Sequence, residues 1–166
     1  MNSDVIVMTF DDEDEAEKVL EAMQSMRKEP LLSLEQAVVV TRERGGKVKL
    51  RQTRDLTGGG TVAGESVLSL LAALIFGRSL GTVWGVEVSQ VVHSLTEMGF
   101  DEKFMDAVDR TMGDNTSAIL VLVRRDSPSD PDEVLKVLTL FKGKIHQTTL
   151  SPSAEAYLGQ VLETKD

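Results

Sequence analysis

The sequence predicts an α+β fold, because short apolar runs with strand character alternate along it with segments of helical periodicity. Val5–Phe10 and Thr116–Val123 are continuous apolar runs of the kind that lie buried inside a sheet. Ala37–Arg44 and Lys47–Thr53 flank a Gly-Gly pair that can take positive φ in a tight turn, which indicates a β-hairpin. With 166 residues, 41% of them hydrophobic, the chain is long enough for one domain with a sizeable core.

The first helix is predicted directly after the first strand, in Glu13–Lys28. Acidic residues crowd its first turn, where the positive end of the helix dipole lies, and Pro30 ends it. Its apolar residues recur at spacings of three and four, which gives the helix one face for the core. These residues are Ala16, Val19, Leu20, Met23 and Met26.

The last third of the chain predicts three helices and an edge strand in addition to the apolar run at Thr116. Asp101 begins a short helix with Phe104, Val108 and Met112 on one stripe, and a Gly-Asp-Asn sequence ends it. The remaining elements, in order, are a helix at Glu133–Phe141, an edge strand at Lys144–Leu150, and a helix from a Ser151 cap to about Glu163.

The order of these elements predicts the topology. Strand, helix and hairpin, followed by a helix and a central strand, is the ferredoxin-like α+β arrangement. We therefore predict a ferredoxin-like core with an extra C-terminal strand and helix. Residues 1–57 and 101–166 form this single domain, and residues 58–100 form a long apolar helical insert or hairpin that is hinged at Gly58, Gly59 and Gly60.

Composition narrows the expected partners and location. A formal net charge of −9 would repel a phosphate backbone, so nucleic acid is not an expected partner. Without cysteine the chain can form neither a disulfide nor a thiolate metal site, which suits a reducing compartment. The first residues, MNSDVIVMTFDDEDE, do not have the basic and then apolar pattern of a signal peptide. We expect a cytoplasmic protein, in solution or associated with the cytoplasmic membrane.

The glycine-rich turn resembles a phosphate-binding loop in spacing but not in charge. Gly59–Ser66 fits G-x-x-x-x-G-K-[ST] at every position except the lysine, which is Glu65 here. An anion at that position would repel phosphate. A small-ligand or nucleotide-binding module, with Thr57, Thr61 and Ser66 as polar contacts, therefore ranks as the third hypothesis.

No catalytic, cofactor-binding or metal-ligating set is predicted. The acidic run at residues 11–17 lacks the alternating oxygen ligands and the glycine of a calcium loop. Neither His93 nor His146 has a second ligand at a spacing such as H-x-x-x-H, and no G-x-S-x-G turn supports a nucleophile. We expect a protein that is not an enzyme.

A ladder of small residues runs through the most apolar part of the chain at four-residue spacing. Small residues one helical turn apart allow two helices to approach closely, so the pattern indicates helix association. On a straight helix the stripe would drift by about 200° along its length, so one partner cannot face all of it. Either it serves two neighbours or the helix breaks near Gly77–Gly81 into an apolar arm, Val67–Phe76, and an amphipathic arm, Thr82–Met98. The ladder consists of Ser69, Ala73, Gly77, Gly81, Gly85 and Ser89.

A membrane span through the insert is energetically marginal. Ser66–Val86 would be about 31 Å long as a helix, which is close to the thickness of a bilayer core. Ten Leu, Ile, Phe and Val residues favour insertion by about 3 to 6 kcal/mol, and Arg78 near the centre costs about 2.5 to 3.5 kcal/mol. A helix buried against protein is at least as favourable.

The leading hypothesis is therefore a homo-oligomer that associates through the insert, and a membrane-associated protein is the alternative. The expected partner is thus a second copy of the chain, and the alternative is a membrane surface or bilayer. The predicted self-association residues are Ser69, Ala73, Gly77, Gly81, Trp84, Gly85 and Ser89.

Four stretches of the chain carry a resemblance to a known family: Val5–Met23, Ala37–Gly60, Asp114–Arg125 and Gly143–Leu158. Over these stretches the chain resembles a bacterial and archaeal family of unknown function, domain-of-unknown-function family 1269, whose members are often labelled predicted membrane proteins. The resemblance implies a glycine-rich hydrophobic hairpin in the middle of the chain, and it implies no activity. This sequence differs by placing Glu65, Arg78, Glu87 and His93 in or beside that hairpin.

Overall fold

A computed structural model describes residues 3–26, 36–45, 47–52, 67–76, 82–83 and 86–124, together with residues 131–164. Seven strands and six helices lie within these ranges. In chain order they are β1 (Ser3–Phe10), α1 (Glu15–Met26), β2 (Gln36–Arg42), β3 (Val48–Gln52), α2 (Val67–Phe76), β4 (Thr82–Val83), β5 (Val86–Glu87), α3 (Val88–Glu97), α4 (Glu102–Thr111), β6 (Thr116–Arg124), α5 (Pro131–Leu138), β7 (Lys144–Leu150) and α6 (Pro152–Thr164).

Five of the strands form one antiparallel sheet in the order β3-β2-β6-β1-β7. β6 lies at its centre and pairs with β2 on one side and with β1 on the other. Strands with neighbours on both sides and covered on both faces have no polar surface, which explains the continuous apolar runs of β1 and β6. The predicted α+β class, the β2-β3 hairpin and the edge position of Lys144–Leu150 are confirmed.

Both faces of this sheet are covered by helices. Along β1, Val5 and Val7 belong to a core with α2, α3, α4 and α6, whereas Ile6 and Met8 belong to a second core with α1 and α5. This alternation follows from the period of two along a strand. The molecule is therefore a three-layer structure with the sheet in the middle.

Two crossovers define the topology of the sheet. β1-α1-β2 places two parallel strands on either side of β6, and β6-α5-β7 places two parallel strands on either side of β1. These are two split β-α-β units, to which β3 is added at the far edge. The additional strand is thus β3 and not the C-terminal strand that the sequence predicted. Local patterns identify strands, but their order depends on pairing between distant segments.

The described part of the insert shares its core with the sheet. All residues of α2 from Leu68 to Phe76 are buried, and the helix packs on β2, β3 and β6 and against α4 and α6. α2 coincides with the predicted apolar arm. The residues of this arm from Leu68 to Phe76 are covered within the monomer.

The amphipathic arm is not helical throughout. Thr82–Val83 and Val86–Glu87 form a separate two-stranded ribbon, and the helix begins only at Val88. A single helix through the whole ladder, and a helical arm from Thr82, are therefore wrong. β-branched residues next to glycines favour an extended ribbon over a helix, which explains the difference. Within the described ranges, no helix has both the length and the apolar character needed to cross a membrane.

Arg42, at the end of β2, joins three elements that are distant in sequence. Its guanidinium donates to the Asp109 carboxylate at 2.8 Å and to the Met112 carbonyl oxygen at the end of α4. The same group lies 5.7 Å from the centre of the Phe76 ring of α2. Arg42 therefore fixes the hairpin, α4 and α2 relative to one another.

Replacement of Arg42 by methionine should lower the free energy of unfolding by about 1.5 to 3 kcal/mol. The reason is that methionine leaves the carboxylate and the helix-end carbonyl without their charged donor. Denaturant unfolding of the purified variant measures this loss. Lys49→Met is the control, because it breaks an exposed Lys49–Glu43 ion pair and should cost less than about 1 kcal/mol. Equal stabilities of the two variants would contradict this role of Arg42.

Gly143, just before β7, allows a close approach to β1. A Cβ atom at this position would lie 2.6 Å from the Thr9 carbonyl oxygen and 2.9 Å from the Phe10 ring. Gly143→Ala should therefore destabilise the protein by about 1 to 3 kcal/mol, measured by denaturant unfolding. Gly159→Ala, in α6 with open space around the added atom, should instead stabilise it by about 0.5 to 1 kcal/mol. A Gly143→Ala protein as stable as the wild type would refute the contact.

Candidate functional site

The residues of the small-residue ladder lie on different elements. Ser69 and Ala73 are buried in α2, at 3% and 4% exposure, whereas Ser89 is exposed on α3. The ladder is therefore not one continuous surface of the monomer. Gly77, Gly81, Trp84 and Gly85, together with the predicted hinge Gly58, Gly59 and Gly60, lie outside the described residues.

The small residues of α2 are part of the monomer core. α2 is enclosed by three strands and by α4 and α6. Small side chains in such a helix allow its neighbours to approach closely, which is the same physical effect that was predicted between copies. Ser69 and Ala73 are therefore not accessible to a partner in the folded monomer.

The β4-β5 ribbon and the start of α3 form the part of the described insert that follows α2 in the sequence. Thr82 pairs with Glu87 and Val83 with Val86, and the ribbon is not joined to the five-stranded sheet. Val86 is buried in the core, and Glu87 is exposed. An isolated two-stranded ribbon is at best marginally stable, so this ribbon depends on what packs against it.

A groove with a cavity of about 270 Å³ runs beside α3 and the first turn of α4. Val88 and Val92 supply apolar surface, and the rim is polar. His93 Nε2 lies 2.5 Å from Glu97 Oε1, and both side chains are exposed. The groove is lined by Val88, Ser89, Val92, His93, Thr96 and Glu102.

The polar rim of the groove is formed by side chains of α3 and α4. The Thr96 hydroxyl donates to the His93 carbonyl oxygen within α3 and is therefore engaged. In the ranges that the structure describes, no group of three or more His, Asp or Glu side chains could hold a metal ion. Sequence reasoning missed the groove, because its residues look like one ordinary amphipathic helix until α4 is placed beside them.

His146 on β7 is the one described group whose pKa clearly departs from its ordinary value. Its Nε2 lies 3.5 Å from the Thr111 hydroxyl of α4. Partial burial lowers the pKa of His146 below 6.5, and the positive charge of Lys144 lowers it further. His146 is therefore a neutral side chain in the native interface between α4 and β7 near neutral pH.

A family model described as "Protein of unknown function (DUF1269)" matches residues 60–163, which is more than half of the chain. The chain belongs to the DUF1269 family. The DUF1269 match includes the insert and the stretches Asp114–Arg125 and Gly143–Leu158 that carried the resemblance, whereas Val5–Met23 lies before it. No curated protein and no solved structure matches the chain.

Acidification should destabilise the wild type more than His146→Gln. Because the folded-state pKa of His146 is below the unfolded value, the unfolded chain binds more protons as the pH falls through about 6.5. The contribution of neutral His146 to stability is therefore present above that pH and lost below it. Denaturant unfolding between pH 8 and pH 5 tests this prediction. Gln147→Ala keeps the histidine and should retain the wild-type slope, and identical slopes for His146→Gln and wild type would contradict the prediction.

Proposed function

We propose that this DUF1269 protein is a non-enzymatic, cytoplasmic protein that forms homo-oligomers through the part of its insert that follows α2. The observation that carries the proposal is the separate β4-β5 ribbon, which leads into α3 and has no pairing with the main sheet. The two split β-α-β units support a ferredoxin-like classification of the scaffold that presents this ribbon.

The position of the ribbon in the ladder supports the proposal. Trp84 and Gly85 connect β4 to β5 in the sequence, and Gly81 and Ser89 flank the ribbon. Ser69 and Ala73 are buried with α2 in the monomer. We therefore assign contact between copies to the ladder residues that follow α2 in the sequence, which are Gly77, Gly81, Gly85 and Ser89. A large aromatic residue among small ones is also the composition of an interface anchor.

The electrostatics of the described residues support a binding role over catalysis. Catalytic groups have pKa values shifted by burial and by a specific charged partner in a cleft. The pKa of His146 is shifted, but the groups identified beside it are the Thr111 hydroxyl and Lys144, and neither is a carboxylate. The groove histidine, His93, pairs with the exposed Glu97 instead.

Bulk at Gly77 or Gly81 of the ladder should dissociate the oligomer. The wild type should have a native mass that is a multiple of 18.1 kDa at micromolar concentration, and Gly77→Leu or Gly81→Leu should reduce that mass. Light scattering coupled to gel filtration measures it. Gly113→Leu is the matched control, because a side chain there meets open space on an exposed turn away from the insert. A monomeric wild type would overturn the proposal.

The same preparation separates the two alternatives. A membrane-associated protein would float with phosphatidylglycerol vesicles, and the leucine variants would change flotation rather than native mass. A ligand-binding module at the glycine-rich turn would be stabilised in a thermal-shift assay by ATP or inorganic phosphate. Either result with a monomeric wild type would replace the homo-oligomer as the leading function.

A further inference from the structure

Within the described ranges, the edge strand β7 pairs with another strand on one side only. All seven of its residues pair with β1, from Lys144 opposite Thr9 to Leu150 opposite Ser3, and β7 pairs with no other strand in the described part of the chain. In an antiparallel edge strand, alternate residues direct their backbone N–H and C=O groups away from the sheet. β7 therefore presents a row of donors and acceptors of the kind that pairs with another strand.

The side chains of β7 do little to prevent such pairing. Lys144 at its first position is the one formally charged residue, and the strand contains no proline. Ile145, Thr148 and Thr149 are β-branched, which favours extended pairing. Along the strand, Leu150 alone is fully buried, and Gln147 at the centre is exposed.

The opposite edge of the sheet differs in length and charge. β3 has five residues, and two of them, Lys49 and Arg51, are cationic in the sequence. Lys49 is exposed and holds an ion pair with Glu43. Short edge strands and lysine on an edge strand are devices by which proteins block edge pairing. Of the two edges, β7 is therefore the one suited to a partner strand.

We propose that β7 pairs antiparallel with β7 of a second copy, so that two five-stranded sheets join into one. This inference rests on the proposed homo-oligomer and adds a contact that the insert does not supply. If the two-fold axis passes through the centre of β7, Gln147 of one copy faces Gln147 of the other. The other facing pairs are Lys144 with Leu150, Ile145 with Thr149, and His146 with Thr148.

The charge pattern of β7 fits this self-pairing. The two Lys144 residues lie at opposite ends of the ribbon, about 20 Å apart at roughly 3.4 Å per residue, so like charges do not face each other. The Ile145–Thr149 pairs place β-branched side chains across the new ladder, which is a favourable cross-strand combination. The positions of Lys144 and of the β-branched residues are therefore compatible with antiparallel pairing of β7 with β7 of a second copy.

The layers of the monomer are also compatible with this pairing. A two-fold axis that joins antiparallel edges runs perpendicular to the sheet, so each face of one copy continues the same face of the other. The layer with α1 and α5 then extends on one side, and the layer with α2, α4 and α6 extends on the other. Such an interface is isologous and closes after two copies.

The absence of cysteine allows a direct test. Gln147→Cys introduces one thiol per chain, and directly facing residues of an antiparallel pair lie about 4.5 to 5.5 Å apart between Cα atoms, within disulfide range. Mild oxidation should therefore convert this variant to a covalent dimer on a non-reducing gel. Thr149→Cys is the matched control, because its two thiols would lie about 14 Å apart along the ribbon and should not join.

Charged substitutions of Gln147 provide a second test. Gln147→Lys and Gln147→Glu each place like charges face to face at the two-fold axis, so each should weaken dimerisation by up to about fivefold. An equimolar mixture should restore it as a heterodimer, and a merely destabilised monomer would not be rescued by mixing. Native mass of the single variants and of the mixture gives the answer.

The outcomes separate this inference from the proposed function. An oligomeric wild type whose Gln147→Cys variant does not cross-link, and whose charge variants keep the wild-type mass, would overturn the β7 interface and leave association through the insert. Cross-linking through Thr149→Cys instead would overturn the stated pairing register. A wild type that is monomeric at all concentrations would overturn both.

Discussion

The structure depends on covering both faces of its central sheet. β1 and β6 carry apolar side chains on alternate sides, so neither face can be left in water. The two crossover helices, α1 and α5, cover only one face, because each joins strands of the sheet on that side. The other face is covered chiefly by α2, α4 and α6, and α2 comes from the segment that interrupts the split β-α-β pattern. The insert is therefore a layer of the core and not an appendage to it.

The burial of α2 changes how the small-residue ladder is interpreted. Close approach between helices has the same requirement, small side chains one turn apart, whether the helices belong to one chain or to two. Ser69 and Ala73 meet that requirement inside the monomer, in a helix whose residues from Leu68 to Phe76 are all buried. The pattern indicates close packing of a helix but does not identify the partner. Only the three-dimensional position of α2 distinguishes its own sheet and helices from a second copy or a bilayer.

The sequence predicted the features that depend on neighbouring residues. It did not predict the features that depend on contacts between separate elements. The β2-β3 hairpin, the Asp101 cap of α4 and the Ser151 cap of α6 depend on neighbouring residues and were predicted. The strand order and the contact of Arg42 with the end of α4 depend on segments about 70 or more residues apart, which no periodicity encodes. The groove beside α3 lies between residues at most 14 positions apart, but it exists only because α4 packs beside α3. The β4-β5 ribbon is intermediate: its β-branched residues favour a strand, but the apolar stretch around them suggested a helix.

Once both sheet faces are covered, the monomer has few surfaces left through which it could associate. A face already packed with helices offers mainly their polar outer sides, as on α3, where Ser89, His93 and Glu97 are exposed. Backbone hydrogen bonding remains unsatisfied by the sheet only at its edges, and there the two edges differ in length and charge. Edge pairing needs no apolar patch, so it is compatible with a strand as polar as β7. Because α2 is covered within the monomer, we propose that association uses β7 and the ribbon of the insert, whose strands keep an edge without a partner strand in the described part of the chain.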